Sequence, residues 1–209
     1  MQPRELTPNL ILILQGTHDF DFVDSDMIIA RYRQVTSSVT LYLGDEPTVI
    51  DSGSRFYRDE VKQRISQFIN PLDITCFIAT HYHHDHLDNS DLFKNARRIL
   101  DHGCVTPEGV MTVYHDPAEI PVPDDIEILA TPGHVKNHIS AKITVNQTRY
   151  ICAGDAIRSD ILSREFMPDY VDETYIDSAR KVYNNADIII PGHGDLICVD
   201  AKKPPPLIS

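Results

Sequence analysis

The segment Thr80-His81-Tyr82-His83-His84-Asp85-His86 decides how this sequence is interpreted. Five of its seven side chains can bind a divalent metal, and four of the chain's 10 histidines lie in it. The apolar run at 74–80 predicts a strand buried on both faces, so the following stretch, 81–89, is expected to be a loop. Imidazole and carboxylate together suit zinc, iron or manganese, whereas calcium prefers oxygen ligands. A chance cluster of polar loop residues is the weaker interpretation.

Three later segments each place a candidate ligand just after a predicted strand. They are Thr131-Pro132-Gly133-His134, Gly154-Asp155 and Pro191-Gly192-His193-Gly194. Loops that leave strand ends converge on one rim of a fold, where sites are commonly built. A glycine next to each candidate ligand lets the backbone turn sharply and approach closely. We therefore expect these residues to meet the histidine-rich segment.

The hydrophobic pattern predicts many strands and few helices. Alternating or continuous apolar runs predict strands at 10–14, 27–32, 39–43, 48–51, 74–80, 97–100, 126–130, 139–145, 149–153, 188–191 and 196–199. Helical spacing predicts helices after Ser54 and over 172–185, and a short helix over 90–95. Strands in runs, separated by single helices, indicate two packed sheets with helices outside, a four-layer αββα sandwich of the α/β class. We expect one domain over 1–209 with a loose tail at about 201–209.

Composition limits the function further. The 209 residues carry 19 basic and 31 acidic side chains, a formal net charge of −12, which lacks the broad positive field of a general nucleic-acid binder. There is no run of about 18 apolar residues, so no membrane-spanning helix is expected. The N-terminus lacks the pattern of a secretory signal, and no C-x-x-C pair occurs, which predicts a cytoplasmic location.

The motifs together resemble the metallo-β-lactamase-fold superfamily. They are Val49-Ile50-Asp51-Ser52-Gly53, His81-x-His83-x-Asp85-His86 and the three strand-end segments above. The resemblance implies an αββα sandwich of the metallo-β-lactamase type with a dinuclear site at one edge. It implies that His81, His83 and His134 bind a first ion, that Asp85, His86 and His193 bind a second, and that Asp155 bridges both. Asp51 matches a position that braces the metal loop without binding metal.

A narrower similarity links the chain to the metallo-β-lactamase domain-containing protein 1 group. It rests on short segments at 12–16, 38–41 and 99–104. That group is associated with endonuclease action on histone pre-mRNA, which makes an RNA endonuclease one alternative. Asp88 departs from the family pattern, since a glycine usually stands there. Aspartate tolerates left-handed backbone better than most residues, and its carboxylate is expected to add negative charge at the rim.

The ligand chemistry predicts hydrolysis. Two divalent ions that share a hydroxide supply a nucleophile at neutral pH, and they polarise the attacked group. Asp155 would hold the ions together and Asp85 would orient the hydroxide. We expect two zinc ions, with iron or manganese as alternatives, and an ester, thioester, lactone or phosphodiester substrate. Two other hypotheses stay open: a mononuclear iron persulfide dioxygenase using His81, His134 and Asp155, and a metal-binding module without catalysis.

Several remaining polar residues are candidates for substrate contact. Tyr82 and Arg158 lie beside predicted ligands, and His102 and His115 flank a loop-rich region, 101–125, that could form a pocket wall. The expected partner is a small-molecule ester or thioester, with RNA as the alternative and no membrane. A homodimer through exposed N-terminal strands is a further expectation. His138 is predicted to have a structural hydrogen-bonding role.

Overall fold

A computed structural model describes residues 2–18, 20–24, 27–30 and 32–209. The strands, in chain order, are β1 Arg4–Thr7, β2 Leu10–Leu14, β3 Phe20–Asp24, β4 Met27–Ala30, β5 Val39–Tyr42, β6 Thr48–Ile50, β7 Cys76–Ala79, β8 Arg97–Leu100, β9 Gly103–Val105, β10 Met111–Val113, β11 Ile126–Ala130, β12 Ile139–Val145, β13 Thr148–Gly154, β14 Ile188–Pro191 and β15 Ile197–Cys198. The α-helices are α1 Arg58–Ile65, α2 His84–Leu87, α3 Ser159–Leu162 and α4 Glu173–Asn185.

The strands form two large sheets and one small hairpin. The first sheet has eight strands in the order β1-β2-β5-β6-β7-β8-β9-β10, and the second has five in the order β11-β12-β13-β14-β15. Pairing is antiparallel except at β6–β7–β8 and β13–β14, which are parallel. β3 and β4 pair separately. β1 is an edge strand, so the predicted pairing of two copies through N-terminal strands has an edge available and stays a prediction.

Three apolar clusters show why the elements stack as four layers. Ile50 and Ile78 of the first sheet pack with Ile128 and Ile143 of the second, so one cluster lies between the sheets. On the outer side of the first sheet, a second cluster includes residues of α1, and on the outer side of the second sheet a third includes residues of α4. This arrangement confirms the predicted αββα sandwich, since each sheet buries both of its faces.

Helix α4 illustrates how local sequence sets an element. The side chain of Asp172 accepts a hydrogen bond from Tyr175 N at 3.0 Å, which caps the helix N-terminus. Tyr175, Ala179 and Val182 follow at helical spacing and are all buried. The helix therefore begins at its cap and packs its apolar stripe on the second sheet.

The structure corrects the prediction of a loop over 81–89. His84–Leu87 forms a short helix, α2, in the middle of that stretch, and 3₁₀ turns follow at Ser90–Phe93. Asp88 has φ −56° and ψ −26°, so its backbone is right-handed and needs no glycine there. Polar ligand residues hide such a turn from hydrophobic periodicity. The predicted strand at 27–32 is observed over Met27–Ala30, and Arg31 lies outside the described residues.

The C-terminal tail fits the prediction of a loose segment over 201–209 only in part, because residues 201–204 are exposed but Leu207 is buried. Leu207 is only 2% exposed, and its backbone N donates to Leu162 O at 3.1 Å. It packs in the same apolar cluster as Ile161 of α3. The composition of the run Pro204-Pro205-Pro206 suggests a solvated segment. A stiff proline segment can nevertheless place the apolar residue that follows it, Leu207, in a groove. Burial of Leu207 decides the outcome.

The topology brings several strand ends to one rim. The histidine-rich segment leaves β7, His134 follows β11, Asp155 follows β13 and His193 follows β14. Within the described part of the chain, none of the helices is both long enough and apolar enough to cross a bilayer. The single-domain prediction over 1–209 stays a prediction.

Candidate metal centre

Three histidines form the first donor group. His83 Nδ1 lies 2.9 Å from His81 Nε2 and 3.0 Å from His134 Nε2. His81 follows β7 directly, His83 is the residue before α2, and His134 is on the loop after β11. The group forms because both sheets end at this rim. Its three nitrogens are close enough together to hold one ion.

Asp85, His86 and His193 form the second donor group. Asp85 Oδ2 lies 3.2 Å from His193 Nε2 and 3.7 Å from His86 Nε2. All three side chains are buried. Helix α2 supplies Asp85 and His86, so the short helix absent from the sequence-based prediction places two of the three donors.

Asp155 lies between the two groups. Its Oδ2 is 3.4 Å from His134 Nε2, while its Oδ1 is 3.4 Å from His86 Nε2 and 3.5 Å from His193 Nε2. One carboxylate therefore turns one oxygen to each side, which is the arrangement that a bridging ligand requires. The seven predicted ligands thus come together in one cluster, although their roles as ligands remain a prediction.

Hydrogen bonds behind the cluster fix which nitrogen faces inward in two of the rings, those of His193 and His86. His193 Nδ1 lies 3.1 Å from the carbonyl oxygens of Thr17 and Thr36. A carbonyl can only accept, so Nδ1 carries a proton and Nε2 faces the cluster. His86 Nδ1 lies 2.8 Å from Asp51 Oδ2, and the same reasoning turns its Nε2 inward.

The donor set fits a divalent cation. The inward-facing atoms are imidazole nitrogens and carboxylate oxygens, which all offer lone pairs. His86 Nε2 and Asp155 Oδ1 are buried and have no hydrogen-bond partner among the described residues. Buried polar atoms are normally satisfied, and a bound cation would satisfy several such acceptors at one point. A mixed nitrogen and oxygen set suits zinc, iron or manganese.

Asp51 contacts the metal loop from behind. Its Oδ1 accepts from Thr80 N at 2.8 Å, and its Oδ2 accepts from Thr80 Oγ1 at 2.9 Å and from His86. Its backbone is left-handed, with φ 54°, which directs the side chain across β7. These are the contacts that the predicted bracing role requires, and Asp51 is not in any of the donor groups.

Two glycines are required by the close approach of the strand ends. A Cβ at Gly192 would lie 2.3 Å from Asp155 Oδ1, so any larger residue would displace the central carboxylate. Gly154 has φ +50°, and a Cβ there would lie 2.5 Å from Thr80 Oγ1 and 2.8 Å from His138 Nε2. Both positions let the two sheets meet at the cluster.

Burial and the neighbouring charges act against each other on the pKa values of the cluster. Burial alone would raise the pKa of Asp155, but the neighbouring His193 and His86 outweigh it and hold that pKa well below its usual range. Burial lowers the pKa of His81 well below its usual value and that of His134 to about 4. Burial opposes protonation of His193 too, but Asp155 and Asp85 raise its pKa to about 9. A proton on His193 therefore competes with a bound cation.

His138 orients Asp155 from the second sheet. Its Nε2 accepts from Asp155 N at 3.1 Å, and its Nδ1 lies 2.8 Å from Thr131 Oγ1. Burial lowers the pKa of His138 to about 3, so the ring is neutral. These contacts are those of the structural hydrogen-bonding residue that the sequence predicts, and His138 belongs to neither donor group.

The four predicted pocket residues lie in different places. Tyr82 is 55% exposed, with its ring 5.2 Å from the ring of His83. The Arg158 guanidinium is buried and forms a fork with Asp160 at 2.6 and 3.2 Å. His102 and His115 flank the β9–β10 hairpin, and no contact between either and the seven-residue cluster is found among the described residues. Their role in substrate binding stays a prediction.

Sequence reasoning did not find two residues that border the cluster. The ring of His18 lies 5.7 Å from that of His193, and the ring of Tyr170 lies 4.9 Å from that of His134. Burial raises the pKa of Tyr170 to about 12, so it remains a phenol. Each residue lies outside the motifs, on a segment without a periodic pattern. A lone histidine or tyrosine there carries no signal that the sequence could have provided.

Asp88 does not project into bulk solvent. Its Oδ2 accepts from Arg55 N at 3.1 Å, and its Oδ1 lies 3.5 Å from His84 Nδ1. The carboxylate therefore connects the end of the metal loop to the turn before α1. The hypothesis that Asp88 adds negative charge near the rim stays a prediction. The structure shows that its carboxylate contacts the turn before α1.

Comparison with known proteins gives the family. The family model for the metallo-beta-lactamase superfamily matches residues 32–193. The chain belongs to the metallo-beta-lactamase superfamily. This confirms the resemblance seen in the motifs, and it makes the chain a superfamily metallo-hydrolase with a His/Asp cluster that could hold metal.

Curated relatives share moderate identity. "Metallo-beta-lactamase domain-containing protein 1" of Xenopus laevis is 32% identical over 169 residues, which cover 77% of this chain and 72% of that protein. The protein of the same name from Homo sapiens is 27% identical, over 71% of this chain and 58% of that protein. A "Probable metallo-hydrolase" of Methanocaldococcus jannaschii is 28% identical over 71% of each. The chain thus spans less than two thirds of the human relative.

Solved structures agree on the fold. A candidate metallo-beta-lactamase from Thermotoga maritima has a TM-score of 0.66 at 19% identity, covering 91% of this chain and 98% of that one. The flavodiiron protein of Giardia intestinalis has a TM-score of 0.60 at 15% identity, covering 96% of this chain and 56% of that one. Proteins with such different descriptions share this sandwich, so the fold alone does not select the reaction.

Proposed function

We propose that the protein hydrolyses an ester, thioester, lactone or phosphodiester with two divalent ions, zinc being the expected metal. The observation that carries the proposal is the convergence of lone pairs at two adjacent donor groups. His81, His83 and His134 would hold one ion, and Asp85, His86 and His193 the other. Asp155, with one oxygen toward each group, would bridge them.

The bound ions would lower the pKa of a water to about 7, so that hydroxide is the nucleophile at neutral pH, and would polarise the attacked C=O or P=O. The protein's own residues would then orient the attacking water. Burial alone would raise the pKa of Asp85, but its hydrogen bond to His193 and the neighbouring imidazoles lower it, so Asp85 remains a carboxylate. It would accept a hydrogen bond from the attacking water and hold that water in line.

The supports behind the donors keep this geometry fixed before substrate arrives. Asp51 holds His86, the carbonyls of Thr17 and Thr36 hold His193, and His138 holds the backbone of Asp155. A preorganised site loses little free energy to rearrangement in the transition state. No serine or cysteine nucleophile is required for the reaction.

Replacement of the central carboxylate tests the proposal. In Asp155→Ala, the metal content should fall from two ions per chain to one or none, and hydrolysis should fall by at least about a hundredfold, since even a supporting residue costs up to that much. Elemental analysis of the purified protein and a panel of thioester, lactone, phosphodiester and RNA substrates give both readouts. Asp177→Ala, an exposed position on α4, makes the same chemical change and should alter neither.

Elemental analysis and a measurement of oxygen uptake distinguish the proposed hydrolase from its main competitor. A mononuclear iron persulfide dioxygenase would contain one iron per chain and would consume oxygen with glutathione persulfide. Full retention of both metals in Asp155→Ala would contradict the bridging role. Two bound metals with no cleavage of any substrate in the panel would favour a binding module.

A further inference from the structure

A cavity adjoins the cluster of donor residues at His193. It has a volume of about 400 Å³ and is lined by His18, Ser159, Asp160, Ser163, Glu165, His193 and Gly194; we call it the outer cavity. Small-molecule sites commonly measure roughly 300–1,000 Å³, so the space fits one small group. His193 belongs to both the cluster and the cavity wall. A substrate held at the cluster therefore has this cavity within reach.

The lining of the outer cavity contains acidic but no lysine or arginine side chains. Its side chains are two serines, two carboxylates and imidazoles, and none of the seven lining residues is a lysine or arginine. Arg158 and Arg164 are the cations nearest to the lining residues in sequence, and neither is a lining residue. The Arg158 guanidinium is buried, forms a fork with Asp160 and lies 5.2 Å from the centre of the Phe166 ring. That fork offsets the charge of Asp160, so the exposed Glu165 is the lining carboxylate that Arg158 does not neutralise.

The position of His18 is set by the same contacts that set the cluster. Thr17, its neighbour, exchanges two backbone hydrogen bonds with Thr36 at 2.8 and 2.9 Å, and both carbonyls hold His193. His18 Nε2 lies 3.9 Å from Asp160 Oδ2, on the opposite wall. His18 therefore closes one side of the outer cavity at a fixed place relative to His193.

We propose that the outer cavity binds the part of the substrate beyond the scissile bond, and that it selects a cationic, ammonium-type group over an anionic one. Glu165 provides the charge selection, and His18 provides a polar contact that does not depend on the charge of the substrate. The net charge of −12 acts in the same direction. The inference rests on the proposed hydrolase function, and it names the substrate class for that site.

Three matched thioesters test the selection. They share the acetyl group and a two-carbon thiol, and they differ only in the terminal group: trimethylammonium in acetylthiocholine, hydroxyl in S-acetyl-2-mercaptoethanol and carboxylate in S-acetyl-3-mercaptopropionate. With metal-loaded protein, kcat/KM should fall in that order, with about a tenfold or larger difference between the first and the last. Equal values, or a preference for the carboxylate, would overturn the proposal.

Single substitutions assign the effect to residues. Glu165→Gln should reduce the cation-to-anion ratio about fivefold, because one surface charge is removed. Glu108→Gln removes the same charge at the β9–β10 turn, outside the cavity, and should leave the ratio unchanged. His18→Ala should lower kcat/KM for all three thioesters by a similar factor, at unchanged metal content. A ratio that responds equally to both glutamate changes would contradict the assignment.

Binding of the free thiols separates this inference from the hydrolase proposal. Thiocholine, 2-mercaptoethanol and 3-mercaptopropionate can be titrated into the cobalt-substituted protein and followed by its absorbance. Tighter binding of thiocholine, reduced by Glu165→Gln, supports the cavity assignment even if none of the thioesters is cleaved. Cleavage of all three without any order in kcat/KM or binding leaves hydrolysis standing and overturns the assignment.

Discussion

The two sides of His193 are built differently. On the cluster side, each donor follows a strand end or lies on α2, and buried groups such as Asp51 and His138 hold the donors from behind. On the side of the outer cavity, the wall is a loop with one short helix, α3, and it depends on Asp160. The donor cluster is thus anchored in the sheets, whereas the proposed substrate-recognition surface is anchored in a loop. This division allows substrate choice to vary without loss of the metal site.

Asp160 makes several of the hydrogen bonds that organise that loop. Its carboxylate accepts from Arg158 and from Ile161 N, and its carbonyl accepts from Glu165 N and Phe166 N at 2.8 and 3.1 Å. Several contacts of the loop therefore depend on one residue, while the cluster has an independent support for each of several donors. The difference predicts that damage to the two sides will have different consequences.

Asp51→Ala should produce the largest effect, because it removes the support of the cluster. Thr80 N, Thr80 Oγ1 and His86 Nδ1 would all lose a buried partner, so the free energy of unfolding should fall by about 3–5 kcal/mol. Metal should be lost as well. Urea unfolding followed by circular dichroism, with elemental analysis of the same sample, measures both.

Asp51→Asn is the matched control for that change. Asparagine tolerates the left-handed backbone of position 51, so its loss of stability should be smaller and should come from the missing charge. If Asp51→Ala kept both metals and lost less than about 1 kcal/mol, the cluster would not depend on this support and the comparison would fail.

Leu207→Ala should weaken the wall and spare the cluster. Leu207 is buried against α3, and removal of its side chain should lower the free energy of unfolding by about 2 kcal/mol, the low end for a buried leucine. Hydrogen exchange should rise over 158–171 while metal content stays the same. Leu72→Ala, at a position that is 41% exposed, should cost less than about 0.5 kcal/mol. Loss of metal in Leu207→Ala would show that the two sides are coupled.

The pair of Arg149 and Asp187 should give the smallest effect, since it is exposed and remote from both sides. Arg149 Nη2 lies 2.7 Å from Asp187 Oδ1, and the hydrogen bonds lower the pKa of Asp187 from 3.8 to about 2. A depressed carboxylate pKa stabilises the fold above pH 3.8, and that contribution disappears as the pH falls through about 2.

The stability difference between the protein and its Asp187→Asn variant should therefore be under about 1 kcal/mol near neutral pH and should shrink between pH 4 and pH 2. Urea unfolding at several pH values measures it, and about 1 M salt should reduce it as well. A difference that grew on acidification would mean that the carboxylate does not act through its charge. Metal content at neutral pH should not respond.

The residues of the donor cluster and most of the long buried strands could be predicted from the sequence, whereas the short strands β1, β3, β9 and β10 are not among the predicted strands. His81, His83, Asp85 and His86 lie within six positions of each other, after an apolar strand, and such spacing leaves few alternatives to a metal loop. Strands such as β2 and β7 are continuous apolar runs, which predict burial directly. Both signals are local, and neither depends on where distant segments pack.

Helix α2 was not predicted and the tail was predicted only in part, for a common reason. In α2 the polar ligands hide the helical turn, and in the tail a buried Leu207 follows three prolines that suggest exposed chain. In each case contacts from elsewhere in the fold decide the conformation. Local propensity is too weak to compete with such packing.

The sequence by itself determined the kind of chemistry, because the donor atoms of the motif side chains determine which ions they can bind. The tertiary structure decided what surrounds them. The ring centres of His18 and His193 lie 5.7 Å apart although 175 positions separate the two residues in the chain, and the ring of Tyr170 lies against that of His134. Neither neighbour has a spacing that a sequence pattern can reveal. Proximity of this kind exists only once the two sheets have packed and their loops have been brought to one rim.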